Sequence, residues 1–406
     1  MVIAGFVAPY LLDATTRFVT AAARLPGVQL AVITCEPADR LPSELRETLA
    51  GHWRIDDPLD PGQIAAAVQG LSGQLGPVQR LMAVLEQLQE PLGQVREYLG
   101  IAGLDAATAR NFRDKAQMKT VLRAAGVPCA RHCLATSADQ AAAFAAEAGL
   151  PLVVKPPAGA GAKSTFRLDD PGDLKAWLDV AAPSPDHPAL MEEFLTGDEG
   201  SYDSVMVNGE VVWRSISNYI PTPLEVLRNP WMQWMVMLPR DISGPEYSGI
   251  LTVAPQALRA LGLHTGLTHM EWFRRPDGSV AVSEVAARPP GAQLFDMLCY
   301  AHEFDLYTAW AQLMLADTFD PPSRDWAAGT VYLRGQGAGT VRAVHGLGEL
   351  SPEVSSLIVD TRLPREGQPS TGSYEGDGHI TVRHRDTSVV AAALRQVVTT
   401  VRVELG

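Results

Sequence analysis

The stretch Thr268-His269-Met270-Glu271-Trp272-Phe273-Arg274-Arg275-Pro276-Asp277-Gly278-Ser279-Val280-Ala281-Val282-Ser283-Glu284-Val285-Ala286-Ala287-Arg288-Pro289-Pro290-Gly291 decides how this chain is read. Asp277-Gly278 between two alternating apolar runs predicts a two-residue β-hairpin, because both central positions of such a turn need a positive φ that Asp and Gly tolerate. Counting outward from that turn puts Glu271 opposite Glu284. Like charges facing each other across a sheet destabilise it. The pair is tolerated if it is solvated, or if a cation sits between the carboxylates. Met270, Trp272, Phe273, Val282 and Val285 around it argue for partial burial and hence for the cation. Two carboxylates with phosphate oxygens suit Mg²⁺, which prefers oxygen ligands and keeps some water. A solvated acidic hairpin is the alternative.

Working outward, Arg288 lies four residues past Glu284, so in an extended chain both side chains point the same way. Beside two carboxylates it either neutralises Glu284 or grips a second anion bidentately. Upstream, Lys155 ends the apolar run Leu152-Val153-Val154. A buried lysine there demands an anion. Gly159, Gly161, Lys163 and Ser164 follow in a small-residue loop that could offer backbone N–H groups to phosphates. The loop is not a Walker A motif, because Ala162 stands where that motif requires Gly. Met191-Glu192-Glu193-Phe194-Leu195 ends another apolar run with Gly197 and Glu199 just beyond. It reads as a segment lying along a nucleotide base, or as an ordinary charged strand end.

The rest of the chain bounds these readings. At 406 residues it is long enough for two to four domains. With 46% hydrophobic and 19% charged residues it has globular composition, and its net charge of −13 disfavours nucleic acid as a partner. No apolar run approaches the roughly 20 residues of a bilayer-spanning helix, and Met1–Phe6 lacks a basic leader and reads as a first strand. The four cysteines, Cys35, Cys129, Cys133 and Cys299, form neither a disulfide framework nor a zinc set. The expectation is a cytoplasmic, multidomain protein. Residues 1–110 alternate strand and helix patterns as a parallel α/β sheet does, yet Ala8-Pro9-Tyr10 offers no glycine fingerprint for a dinucleotide. Residues Tyr219–Pro239, rich in Pro, Met and Trp, read as an irregular surface loop, and a helix is expected over Pro255–Leu261.

Taken in order, Asp114-Lys115, Val153-Val154-Lys155-Pro156, Glu192-Glu193-Phe194-Leu195 with Glu199, Glu271, and Glu284-Val285-Ala286-Ala287-Arg288-Pro289-Pro290-Gly291 resemble the ATP-grasp superfamily. The branch they resemble is that of the carboxylate–amine ligases, with biotin carboxylase, D-alanine–D-alanine ligase and the L-amino-acid dipeptide ligases. The resemblance implies an α/β and α+β multidomain fold. Its parts would be a Rossmann-like pre-ATP-grasp domain (1–110), an ATP-grasp domain (111–325, with a mobile lid at about 120–190) and a C-terminal β-rich portion (326–406). It implies ATP and Mg²⁺, with Mn²⁺ as a substitute. Lys115 and Lys155 would hold phosphates, and Gly159, Gly161, Lys163 and Ser164 would form the lid strap. Glu192 would contact adenine, with Glu193 beside it. Phe194 and Leu195 would form the hinge, and Glu199 would bind ribose. Glu271 and Glu284 would be the metal acids, and Arg288 with Lys155 the catalytic cations. The family often has Asn two residues after the second acid; here that residue is Ala286.

The activity so implied is condensation of a carboxylate with an amine through an acyl phosphate, with ADP and phosphate released. A bicarbonate-phosphorylating carboxylase and a catalytically weak ATP-binding protein are the alternatives. Substrate contacts are expected from His264, His269, Tyr219, Trp231 and Gly291, with Trp234 nearby. For His269 a hydrogen bond within the sheet competes with that role, and for the aromatic residues plain packing does. Small-molecule partners and a homodimer are expected.

Overall fold

The computed structural model describes residues 1–158, 165–229 and 231–406. Gly159, Gly161, Lys163 and Ser164 lie outside the described residues.

The first region alternates strands and helices: β1 (Val2–Val7), α1 (Asp13–Ala23), β2 (Val28–Thr34), α2 (Ser43–Thr48), β3 (Gly51–Arg54), α3 (Pro61–Leu75), β4 (Arg80–Met82) and α4 (Gln89–Leu99). All its pairings are parallel, in the order β3-β2-β1-β4. This matches the strand–helix alternation of the sequence, since parallel neighbours need a crossover and helices then cover both faces. Two short helices, α5 (Ala106–Arg113) and α6 (Lys115–Ala124), lead onward.

A small antiparallel sheet follows, ordered β5-β8-β6-β7 from β5 (His132–Ala135), β6 (Leu152–Lys155), β7 (Phe166–Leu168) and β8 (Ala189–Glu193). It is backed by α7 (Ala138–Ala148) and α8 (Pro171–Ala181). The largest sheet carries eight antiparallel strands in the order β13-β12-β9-β10-β11-β14-β18-β17. Its members are β9 (Asp198–Val207), β10 (Glu210–Ile220), β11 (Trp234–Leu238), β12 (Gly266–Arg274), β13 (Val280–Ala286), β14 (Ala327–Leu333), β17 (Ile358–Arg362) and β18 (Gly378–His384). The remaining strands, β15 (Gly335–Gln336), β16 (Val341–His345) and β19 (Arg402–Leu405), form a three-stranded sheet. Helices α9 (Pro223–Arg228), α10 (Ser248–Leu261), α11 (Leu294–His302), α12 (Leu306–Ala316), α13 (Pro352–Ser356) and α14 (Thr387–Thr400) complete the chain. Strands on both sides of residue 325 therefore share one sheet.

Two expectations are corrected. Tyr219–Pro239 is not an irregular surface loop: it holds the end of β10, α9 and β11. Trp234, Val236 and Leu238 alternate into the core, and Met235 and Met237 pack on the opposite face. The period-2 burial, hidden by the Pro and Met content, is what makes this a strand. The helix expected from Pro255 begins instead at Ser248, with Pro255 inside it. An amphipathic face built on Ile250, Ala254, Ala257, Leu258 and Leu261 outweighs the local cost of the proline.

An aromatic knot fixes the parallel sheet to the large one. Phe18 of α1 meets Phe295 of α11 at 4.9 Å and Tyr307 and Trp310 of α12 at 4.6 and 5.0 Å. Buried aromatic rings at these separations carry much of a core's energy.

Candidate active site

The hairpin reading gives the right pair through two compensating departures. The turn spans three residues, with Arg275 N donating to Ser279 O (2.8 Å) and Gly278 at φ 82°. Near the turn the strands pair Arg274 with Val280 and Trp272 with Val282. That register alone would put Glu271 opposite Ser283. A β-bulge between Glu271 and Trp272 absorbs one residue, Ser283, and brings Glu271 opposite Glu284. The bulge also turns the Ser283 carbonyl toward α6, where it accepts from Lys119 Nζ at 2.5 Å.

Register then places the chemistry on one face. Asp203 pairs with His269, Ser201 with Glu271 and Glu199 with Phe273 across β9 and β12, while Ala286 and Glu284 of β13 pair with His269 and Glu271. Since alternate residues share a face, Glu199, Asp203, His269, Glu271 and Glu284 form a single polar stripe. Across the cavity, Asp114 caps α6 by accepting from Ala116 and Gln117 N (both 3.0 Å). This sets Lys115 and Lys119 one turn apart on the same helix face.

Five ion pairs tie these elements together. Lys115 Nζ lies 2.7 Å from Glu284 Oε1. Lys155 Nζ and Lys119 Nζ lie 3.0 and 3.3 Å from the two oxygens of Glu192. Arg288 Nη2 lies 2.9 Å from Glu86 Oε2, and Nε donates to the same oxygen at 3.3 Å. Glu86 also takes Arg113 at 2.9 Å. Burial alone would push the Glu192 carboxyl up, but Lys119 and Lys155 outweigh it and hold the group below its ordinary range. Burial works the same way on Glu284, and Lys115 and Lys155 bring it down. Glu271 goes the other way: burial and the Glu284 charge push it up. Glu199 is pushed up further, by burial and by Glu271.

These side chains line one cavity of about 990 Å³. It receives Glu86, Lys115, Lys155, Glu192, Glu193, Phe194, Leu195, Glu199, Tyr219, His269, Glu271, Glu284, Arg288 and Gly291, together with Trp234 and Tyr374. His264 is exposed after α10 and lies outside it, and Trp231 is 60% exposed and likewise absent from its walls. His269 is buried and hydrogen-bonded in the sheet, through Nδ1 to Asp203 Oδ1 at 2.7 Å, and also lines the cavity. Its Nε2 lies 3.9 Å from Glu271 Oε1. Burial would depress its basicity, but Asp203 and Glu271 raise it. Glu192, expected along adenine, is the shared counter-ion of two lysines. Lys119, Glu86, Asp203 and Tyr374 were not singled out from sequence. Lys119 was findable, four residues after Lys115 on a helix; Glu86 and Tyr374 are brought in only by the tertiary fold.

The facing pair Glu271 and Glu284 fits a divalent cation on the evidence of the local electrostatics: the Glu271 carboxyl is raised by burial and by the Glu284 charge, and Glu199 beside it by burial and by Glu271, a like-charge repulsion that a cation would relieve. Among the described residues no group of three or more His, Cys, Asp or Glu side chains is placed to hold a metal. Further ligands would have to come from water or a bound anion, as Mg²⁺ ordinarily accepts. No helix among the described residues is long and apolar enough to cross a membrane.

No family model matches this chain. It is 28% identical over 260 residues to the L-arginine-specific L-amino acid ligase of Bacillus subtilis, covering 62% of this chain and 62% of that protein. An uncharacterized protein of Sinorhizobium fredii is 28% identical over 239 residues, 57% of this chain and 48% of its own length. The matched parts thus span about half to three fifths of these relatives. Among solved structures, L-amino acid ligase from Bacillus licheniformis superposes with a TM-score of 0.77 at 18% identity, covering 100% of this chain and 99% of that one. N5-carboxyaminoimidazole ribonucleotide synthetase from Thermotoga maritima gives 0.70 at 18%, with 100% of each chain covered. The biotin carboxylase domain of Hydrogenobacter thermophilus 2-oxoglutarate carboxylase gives 0.67 at 15%, covering 98% and 90%. The parallel sheet, the small antiparallel sheet, the large antiparallel sheet and these likenesses together identify the fold as the one shared by these L-amino acid ligase, N5-carboxyaminoimidazole ribonucleotide synthetase and biotin carboxylase structures.

Proposed function

We propose that this protein is an ATP-dependent ligase that activates a carboxylate as an acyl phosphate and condenses it with an amine, releasing ADP and phosphate. The observation that supports this most is the convergence of Lys115, Lys155, Glu199, Glu271, Glu284 and Arg288, from five separate segments, on one cavity. Lys115 and Lys155 would orient the phosphates. The segment Glu193–Leu195 with Glu199 would hold the nucleoside. Glu271 and Glu284 would hold Mg²⁺ or Mn²⁺, which would neutralise phosphate charge in the bound nucleotide. Arg288, oriented by Glu86, would grip the substrate carboxylate as it attacks the γ-phosphorus, and would then stabilise the acyl phosphate. The amine attacks that carbonyl, phosphate leaves, and the amine's proton passes to solvent or a nearby base. The protein supplies placement and charge rather than covalent chemistry. Amino acids are the substrate class favoured, from the likeness to amino acid ligases.

Coupled ADP release screened over amino-acid pairs with Mg²⁺, with mass analysis of products, tests the reading. Amino-acid-dependent ADP with an amide product supports it. Bicarbonate-dependent ADP would point to a carboxylase instead, and ATP binding without phosphate release under any condition would remove the enzyme.

A further inference from the structure

Arg334, just after β14, is 6% exposed, and its hydrogen bonds among the described residues go to main-chain carbonyls. Nη1 donates to Val226 O (2.8 Å), Asn229 O (3.1 Å) and Met232 O (2.8 Å), and Nε donates to Ser373 O (3.0 Å). A buried guanidinium is costly unless its N–H groups are met. Here they join two segments far apart in sequence, the connection from α9 to β11 and the loop before β18. Arg334 does not line the cavity, but both segments do. The first leads into Trp234 and the second carries Tyr374.

The second segment is fixed at its far end as well. Gly376 has φ 63°, and a Cβ there would fall 2.3 Å from Leu333 O. Asp377 accepts from Thr371 N (2.7 Å) and Ser370 Oγ (3.0 Å). The rings so held form a continuous wall. Trp234 meets Tyr219 at 5.2 Å and Tyr374 at 4.9 Å, both edge to face, and stacks on Tyr332 at 4.7 Å. Tyr219 and Tyr374 share the cavity with Glu271 and Arg288, so the wall adjoins the place where the carboxylate is activated. Trp234 and Tyr219, 1% and 6% exposed, are spent on one another and back the wall, while the half-buried Tyr374 ring is the surface offered to the cavity, where it favours another ring or a large apolar group.

We propose that Arg334 is a positioning residue that sets an aromatic side-chain subsite faced by Tyr374 and backed by Trp234 and Tyr219, and that the carboxylate substrate is an amino acid with a large apolar, preferentially aromatic, side chain. This rests on the ligase reading above.

The test uses the full chain with saturating Mg-ATP and hydroxylamine, which traps an acyl phosphate as a hydroxamate whatever the natural amine is. L-phenylalanine, L-leucine, L-alanine and L-glutamate are compared as the carboxylate. The wild type is expected to favour L-phenylalanine over L-alanine and L-glutamate by at least about tenfold in kcat/KM. Arg334→Gln should raise KM for L-phenylalanine at least about fivefold and flatten the preference, with KM for ATP changed less than about twofold. Arg334→Lys, which keeps the charge but loses the fork, should fall between. Tyr374→Ala should flatten the preference alone and add little to Arg334→Gln. If Arg334→Gln does not fold, Arg334→Lys and Tyr374→Ala carry the same comparison. Turnover without aromatic preference in the wild type overturns the subsite. Parallel loss of ATP and L-phenylalanine binding in the Arg334 variants overturns the positioning role. No ADP release or hydroxamate with any amino acid overturns the ligase reading itself, and this inference with it.

Discussion

Glu192 is buried and holds two ammonium groups, so its loss leaves two buried charges uncompensated. Glu192→Gln leaves Lys119 and Lys155 facing each other without their counter-ion. Breaking a buried pair from one side costs on the order of 3–5 kcal/mol. We therefore expect a marked fall in the unfolding midpoint by calorimetry, together with a raised KM for ATP; an unchanged midpoint would refute the ion-pair account. At this scale the sequence was legible where chemistry constrains it. Lys155 after an apolar run demanded an anion, and the anion is present, as Glu192. What the sequence did not show was that one acid would serve two lysines, because Lys119 and Glu192 meet only through the packing of α6 on the small sheet. The same limit hid Glu86, which reaches Arg288 from 202 positions away in the chain.

At the scale of elements, the bulge at Ser283 decides whether Glu271 and Glu284 face each other. The turn chemistry of Asp277-Gly278 was readable, but its loop length was not, since Gly278 serves a three-residue turn as well as a two-residue one. The bulge left no mark in composition; its carbonyl is explained only by the lysine it meets. The short turn holding Glu86 supplies a second test. Glu86→Ala should leave Arg288 without its guide and lower kcat/KM for the carboxylate by about 100-fold while KM for ATP changes little. Equal losses for both substrates would count against a role in aiming Arg288. Helix α11 gives a pH prediction. Burial holds the His302 imidazole down to about 4, and its Nδ1 donates to Ser323 O at 2.7 Å. Above pH about 6.5 both folded and unfolded chains carry it neutral, so it adds no pH dependence there. Between about 6.5 and 4 the unfolded chain takes up a proton that the folded chain refuses, so stability falls, by up to about 3 kcal/mol in all. Below about 4 both states are charged and the loss is complete. Denaturant titrations of the wild type and His302→Asn across this window should show the decline flattened in the variant.

For the whole molecule, the alternation of strands and helices up to residue 110 foresaw the parallel sheet because that periodicity is local, while the rest of the fold was foreseen only through the resemblance carried by the ordered lysines and acids. Strand pairing across residue 325 was not foreseeable, since β11 and β14 meet at a sequence distance that no periodicity records. A cavity built from so many segments binds its ligand only when all are in place, so ligand binding is linked to global stability. Mg-ATP at about 100 times its Kd should stabilise the protein by about 2.7 kcal/mol, seen as a rise in Tm, whereas NAD should give none. A comparable rise with NAD would reopen the dinucleotide reading that the absent glycine fingerprint argues against.

The most direct measurement compares Mg²⁺-dependent ADP release by the wild type and Glu284→Ala in the presence of an accepted amino acid. The account predicts that Glu284→Ala keeps the wild-type circular dichroism spectrum and loses at least about 10³ in kcat, since it removes one of the two facing carboxylates proposed to hold the metal. Turnover by that variant at the wild-type rate would contradict it.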